Sequence, residues 1–216
     1  RLIHADQETS LRESTPLDSQ GIPPITVTAY AVEKAIKTSS WGVAAGRSGL
    51  RYEHLRAIID VAPQVCQSIA ALATLAAKDG IPSSIASLFY GGVVTALVKP
   101  EGGIRPIVPQ EVIGRVMSKA VQRQEWSNIR TAFPSMQSAF EPDGVSATAR
   151  LLEATTTMEP DWTAVALDIT NAFGTINREK IQEALRSNPK TEKFLHLFRQ
   201  IYGQSNLVTA KQESLS

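Results

Sequence analysis

The chain has 216 residues, 43% hydrophobic and 20% charged, a globular balance that disfavours a fibrous or disordered protein, and it is long enough for one large domain or two small ones with a real core. Its 22 basic and 21 acidic residues leave a net charge of +1, so bulk charge neither selects nor excludes a nucleic-acid partner. One cysteine, Cys66, excludes an intrachain disulfide; His4, His54 and His196 lack zinc-ligand spacing; no apolar run is long enough for a bilayer.

Residues 1–27 read as a linker or extended arm, polar and punctuated by Pro16, Gly21, Pro23 and Pro24. The N-terminus is mixed in charge and has no apolar core, unlike a signal peptide. Thr28 is placed to cap a helix over 29–37. Residues 42–49 form a glycine-rich loop. A helix over 52–61 is stopped by Pro63, and a very apolar helix over 64–78 ends at Gly80. Cys66 on that helix reads as a buried structural thiol, since no basic neighbour is evident to lower its pKa.

Residues 92–98 are β-branched and predict a strand, Glu101-Gly102-Gly103 a tight turn, and 104–108 the return strand. Lys99 and Arg105 flank the tip of this hairpin. Residues 111–130 predict one amphipathic helix, with Val112, Val116 and Ala120 as its apolar stripe and Arg115, Lys119 and Arg123 on another face. The stretch 99–130 carries a local net charge of +3. Such a patch is the footprint of a phosphate binder, and equally of a solvated helix face. A further helix starts at Asp143 or Ser146 and runs to about 157. A strand is expected over 163–169, then a helix from Asn177 through 185, and another from Thr191 through 201 with Gly203 at its end. There is no internal repeat, and the irregular alternation favours α+β or mixed α/β.

The strand over 163–169 carries the chemistry. Side chains alternate along a strand, so Val165, Leu167 and Ile169 fall on one face, and Ala164, Ala166 and Asp168 on the other. Small residues leading to one carboxylate leave room for a duplex and a metal ion. Two-metal nucleotidyl transfer needs carboxylates to hold divalent ions against the attacking hydroxyl and the triphosphate. Magnesium takes oxygen ligands and keeps several waters. Asp168 can supply one ligand and the Ile169 carbonyl another. The amides around Asn171, Ala172 and Phe173 can face phosphate oxygens, and Phe173 beside the sugar would clash with a ribose 2′-OH. A capping aspartate and a core phenylalanine are the plainer alternatives. Lys99 and Arg105 can close over a triphosphate, Arg by bidentate bonds and Lys as a point charge. Arg115, Lys119 and Arg123 can follow a nucleic-acid backbone.

With these residues in view, the chain resembles a reverse transcriptase of the non-LTR retrotransposon kind. Residues 45–55, Ala-Gly-Arg-Ser-Gly-Leu-Arg-Tyr-Glu-His-Leu, are similar to the family's block ahead of the fingers. Residues 97–107, Leu-Val-Lys-Pro-Glu-Gly-Gly-Ile-Arg-Pro-Ile, continuing to Lys119, resemble the fingers hairpin and following helix. Gln137-Ser-Ala-Phe140 with Asp143-Gly144 resembles the next template-side block. Leu167-Asp-Ile-Thr-Asn-Ala-Phe173, with Asn177-Arg178, resembles the palm's first catalytic motif. The four stand in the family's order over about residues 42–203.

The resemblance implies an α+β, helix-rich fold with a basic β-hairpin: fingers over 28–160 and a partial palm over 161–216. It implies Asp168 as a catalytic ligand of Mg2+ or Mn2+, Phe173 as the gate against ribonucleotides, Lys99 and Arg105 on the incoming dNTP, and Gln137 on the template side. RNA template and DNA primer are the implied partners, with no membrane, and the implied location is intracellular and nuclear. Ala139 replaces the glycine usual before the motif phenylalanine, and Gly174 stands where Asp or Asn is frequent. The second palm motif with its paired aspartates is not matched: no Asp follows Asp168 and no Asp-Asp pair occurs. The glycine-glutamine block, the remaining palm and the thumb are likewise unmatched, which implies that residues 1–216 do not polymerise alone. An RNA-dependent RNA polymerase would have to admit the 2′-OH that Phe173 opposes. A non-catalytic nucleic-acid-binding remnant of a retroelement is the alternative function.

Overall fold

The computed structural model describes residues 24–78, 80–98, 100, 102–134, 137–169, 172–202 and 208–210. Ten α-helices, two 3-10 turns and three strands are formed among these residues. The fold is α+β and helix-rich.

Helix α1 (Ala29–Lys37) starts where Thr28 Oγ1 accepts the Ala31 N–H at 3.2 Å, so the expected cap is made. Thr28→Ala is expected to cost about 1 kcal/mol, read as a lowered urea midpoint with an unchanged denaturant slope. Helix α2 (Tyr52–Val61) and helix α3 (Val65–Lys78) match the expected spans within a residue. At the end of α3, Gly80 takes a left-handed φ of 83° and its N–H reaches Leu75 O at 2.9 Å, the expected glycine stop. Helix α4 (Ser83–Tyr90) follows; its Ser and Phe content gave it no separate signal.

The core lies between α1, α3 and helix α5 (Val112–Gln124). Val32 and Ile36 come from α1, Ile69, Ala73 and Ala76 from α3, and Val116, Met117 and Ala120 from α5. Ala70, Ala73, Ala76 and Ala77 of α3 are buried, so small side chains let its neighbours approach closely. Ile25 and Val27, the end of the expected arm, are also buried, and the Val27 N–H donates to Thr74 Oγ1 at 2.9 Å. Residues 1–23 of that arm lie outside the described residues.

Strand β1 (Gly92–Val98) pairs antiparallel with strand β2 (Ile104–Ile107), from Thr95 opposite Ile107 to Val98 opposite Ile104. Gly102 and Gly103, both at φ 89°, make the tip. Strand β3 (Val208–Ala210), not foreseen, pairs parallel with the start of β1 and completes a sheet of order β2-β1-β3.

The helix expected over 111–130 is two. It breaks at Glu125, which separates α5 from helix α6 (Trp126–Ala132). The Glu125 carboxylate accepts from Asn128 Nδ2 at 2.7 Å and pairs with Lys193 in a half-sealed site, so the break serves a tertiary contact. Helix α7 (Gly144–Met158) does begin beside Asp143, but no side-chain cap is made: Asp143 sits at φ 57° and faces Arg150 at 3.3 Å. Thr191 likewise does not cap by its side chain. Its hydroxyl donates to Leu185 O, and a 3-10 turn over Glu192–Phe194 leads into helix α10 (Leu195–Tyr202). Gly203 lies outside the described residues.

The largest departure is at 163–169, where no strand forms. Val165, Leu167 and Ile169 are exposed, Leu167 to 91%. Both edges of β1 are occupied by β2 and β3, and residues 163–169 pair with neither outer strand. β-propensity holds a strand only where a neighbour takes its N–H and C=O groups. Asn177, by contrast, caps helix α9 (Arg178–Arg186) as expected, its Oδ1 accepting the Glu179 and Lys180 N–H groups. α10 buries Leu195 and Leu197, and Gln200 Oε1 accepts the Ile81 N–H at 2.9 Å, so the C-terminal helices are fastened to the α3–α4 junction.

Candidate functional site

The loop over 42–50 is held by Glu111, the residue before α5. Its Oε1 accepts the Ser48 N–H at 2.9 Å and its Oε2 the Ser48 hydroxyl at 2.6 Å. Gly46 passes so close that a Cβ there would lie 2.7 Å from the Glu111 carboxyl carbon. The carboxylate is buried, and its two oxygens are satisfied by the loop donors.

The basic stripe of α5 turns toward the same loop. Arg115 Nη2 donates to Ala44 O at 2.7 Å, Lys119 Nζ to Ser39 Oγ at 2.9 Å, and Arg123 Nη2 to Thr38 Oγ1 at 2.6 Å. From α2, Arg56 donates to Ser39 O and stacks on the Trp41 ring, while Arg115 lies over Tyr52. Burial, then the charges of Arg123 and Arg56, hold the Lys119 ammonium below the usual lysine range. Among the described residues none of these four cations is in a salt bridge. The carboxylate of Glu53 near Arg56 accepts the Gly42 N–H at 2.6 Å, and that bond chiefly lowers its pKa. The stripe therefore spends donors on a loop as well as presenting charge. Arg56, Trp41 and the anchoring role of Glu111 were missed from sequence. A lone Trp in a Ser- and Gly-rich loop was the available signal.

At the hairpin, Arg105 is exposed on β2, opposite Leu97. Lys99 lies outside the described residues. Gln137 is exposed, and its side-chain oxygen accepts the Ala139 N–H at 3.2 Å, opening a 3-10 turn over Ser138–Phe140. Phe140 meets Phe133 and Trp126 with ring centroids 4.9 and 5.7 Å apart.

Asp168 is exposed, and its Oδ1 accepts its own neighbour's N–H, that of Ile169, at 2.9 Å. Among the described residues no group of three acids, histidines or cysteines could hold a metal ion. Asp168 and the Ile169 carbonyl would supply two oxygens, and a Mg2+ site takes more. Ala172 and Phe173 open the short helix α8 (Ala172–Thr175). Asn171 and the Phe173 side chain lie outside the described residues.

Burial pushes the Cys66 thiol above the usual range, as expected of a structural cysteine. A surface pocket of about 400 Å³ beside it, lined by Tyr30, Glu33 and Lys37, contains none of the predicted site residues. No described helix is long and apolar enough to cross a membrane. No protein-family model, curated protein or solved structure matches the chain.

Proposed function

We propose that the chain is the fingers and first part of the palm of an RNA-directed DNA polymerase of the non-LTR retrotransposon kind. The observation that carries this reading is the joint at Glu111. It ties the block at 45–55 to the helix that follows the basic hairpin, so two motif blocks distant in sequence meet in space. Arg105 on the exposed hairpin, with Lys99, contacts the incoming dNTP. Phe173 rejects the ribose 2′-OH, and Gln137 belongs to the template side. Arg115, Lys119 and Arg123 lend positive potential toward the nucleic-acid backbone while holding the loop.

Asp168 holds one of the Mg2+ or Mn2+ ions of a two-metal nucleotidyl transfer, with the Ile169 carbonyl beside it. The ions would stabilise the attacking and leaving oxygens. Asp168 has no described side-chain partner to compete for its charge, which suits a ligand awaiting a cation. No aspartate follows it within these 216 residues, so this reading takes the other carboxylates from outside residues 1–216. A second reading is a nucleic-acid-binding remnant without catalysis, which needs only the basic face of Arg115, Lys119 and Arg123. On the polymerase reading the partners are an RNA template and a DNA primer, and the work is done in the nucleus.

Reading the coding frame beyond Ser216 separates them. The proposal expects a glycine-glutamine block followed by an aromatic residue and paired aspartates. A stop codon, or an unrelated continuation, overturns it in favour of the remnant.

A further inference from the structure

Trp41 stands in the loop between α1 and α2 with 73% of its surface exposed, although a tryptophan is costly to leave in water. One side of its indole is occupied: the Arg56 guanidinium carbon lies 4.4 Å from the ring centre. Nε and Nη1 of Arg56 are sealed from solvent without a partner, so the stack fixes the guanidinium instead of leaving it to roam. Lys119 and Arg123 reach Ser39 and Thr38, two and three residues before the tryptophan. Three cations therefore converge on one short loop with no salt bridge among the described residues, and burial, followed by the charges of Arg123 and Arg56, lowers the Lys119 pKa.

An open aromatic face beside three cations, with one carboxylate nearby, that of Glu53, bonded to the Gly42 N–H, matches the two needs of a single strand, a surface for a base and cations for its phosphates. A duplex keeps its bases stacked on one another and cannot use the ring. An acidic peptide would answer the charge but not the exposed face. We propose that Trp41, backed by Arg56 and flanked by Lys119 and Arg123, is a stacking platform for single-stranded nucleic acid. The site requires neither Asp168 nor a metal ion, so it stands whether or not the chain belongs to a polymerase.

The test is fluorescence anisotropy of labelled oligo(dT) and oligo(U) titrated with the purified chain across a salt series. Trp41→Ala is expected to weaken binding about tenfold, and Trp41→Phe, which keeps a π face, to restore most of it. Arg123→Gln should flatten the dependence of log K on log salt by about 0.7, one phosphate's share on a single strand. Chelation of divalent ions with EDTA should leave binding unchanged, which keeps this result separate from the polymerase reading. The proposal is overturned by no binding, by wild-type affinity in Trp41→Ala, or by a duplex or polyglutamate competing as well as the oligonucleotide. Circular dichroism checks each variant's fold. Should Trp41→Ala fail to fold, an unchanged salt slope in Arg123→Gln overturns the proposal on its own.

Discussion

Glu111→Ala is expected to cost about 3 kcal/mol of stability, because hydrogen bonds to a charged acceptor are worth roughly 1.5–3 kcal/mol each and two are lost. Both come from Ser48, at 2.9 and 2.6 Å. Part of the loss is recovered by water, since Ser48 itself is exposed, and this keeps the figure at the low end of the sum of two full bonds. Glu111→Gln should cost less, about 1 kcal/mol, because its amide can accept one bond and donate to the serine hydroxyl. Urea denaturation gives the two free energies. Hydrogen exchange locates them: the Ser48 amide should exchange faster in Glu111→Ala under conditions that leave the α3 amides protected. Equal stability of both variants and wild type would mean that the carboxylate does not hold the loop.

Gly114→Ala is the second large effect, about 2 kcal/mol of destabilisation or more. A Cβ at this position of α5 would lie 2.0 Å from the Phe89 carbonyl oxygen and 2.9 Å from its carbonyl carbon. Both are backbone atoms of α4, so no rotamer change relieves the clash and the helices must part. Overpacking of this kind costs roughly 1–3 kcal/mol, occasionally more. Alanine's better helix propensity returns about 1 kcal/mol, and the clash wins because the approach is so short. Since α4 runs directly into β1, the displacement should also reach the hairpin. Thermal unfolding of the variant measures the net effect. A Gly114→Ala variant as stable as wild type would show that propensity outweighs the contact.

The helices were legible in the sequence because their signals are local. Thr28 and Asn177 cap through bonds to N–H groups two or three residues on, and Gly80 ends α3 through its own φ. The hairpin was legible for the same reason, with its turn written in adjacent glycines. The expectation of a strand at 163–169 failed because a strand is a relation between two segments: its alternation was present, and the ladder partner was not. At the break, Glu125 pairs with Lys193, far along the chain, a contact that periodicity does not register.

The candidate site divides in the same way. Spacing placed Arg115, Lys119 and Arg123 on one face of α5, and the structure agrees. What spacing cannot say is what that face meets, here the carbonyls and hydroxyls of residues 38–44. Glu111 looked like an ordinary first-turn acid, yet it is the anchor of the glycine-rich loop. Asp168 was singled out by type and context, and it is exposed.

The central claim, that Asp168 holds a divalent ion, is tested most directly by Mn2+ titration of the isotopically labelled chain, followed by paramagnetic broadening in NMR. The account predicts broadening centred on the amides of Asp168 and Ile169, abolished in Asp168→Asn with the unfolding free energy unchanged within about 0.5 kcal/mol. Broadening elsewhere that survives the substitution, or a substitution that mainly lowers stability, would contradict it and make Asp168 a structural residue.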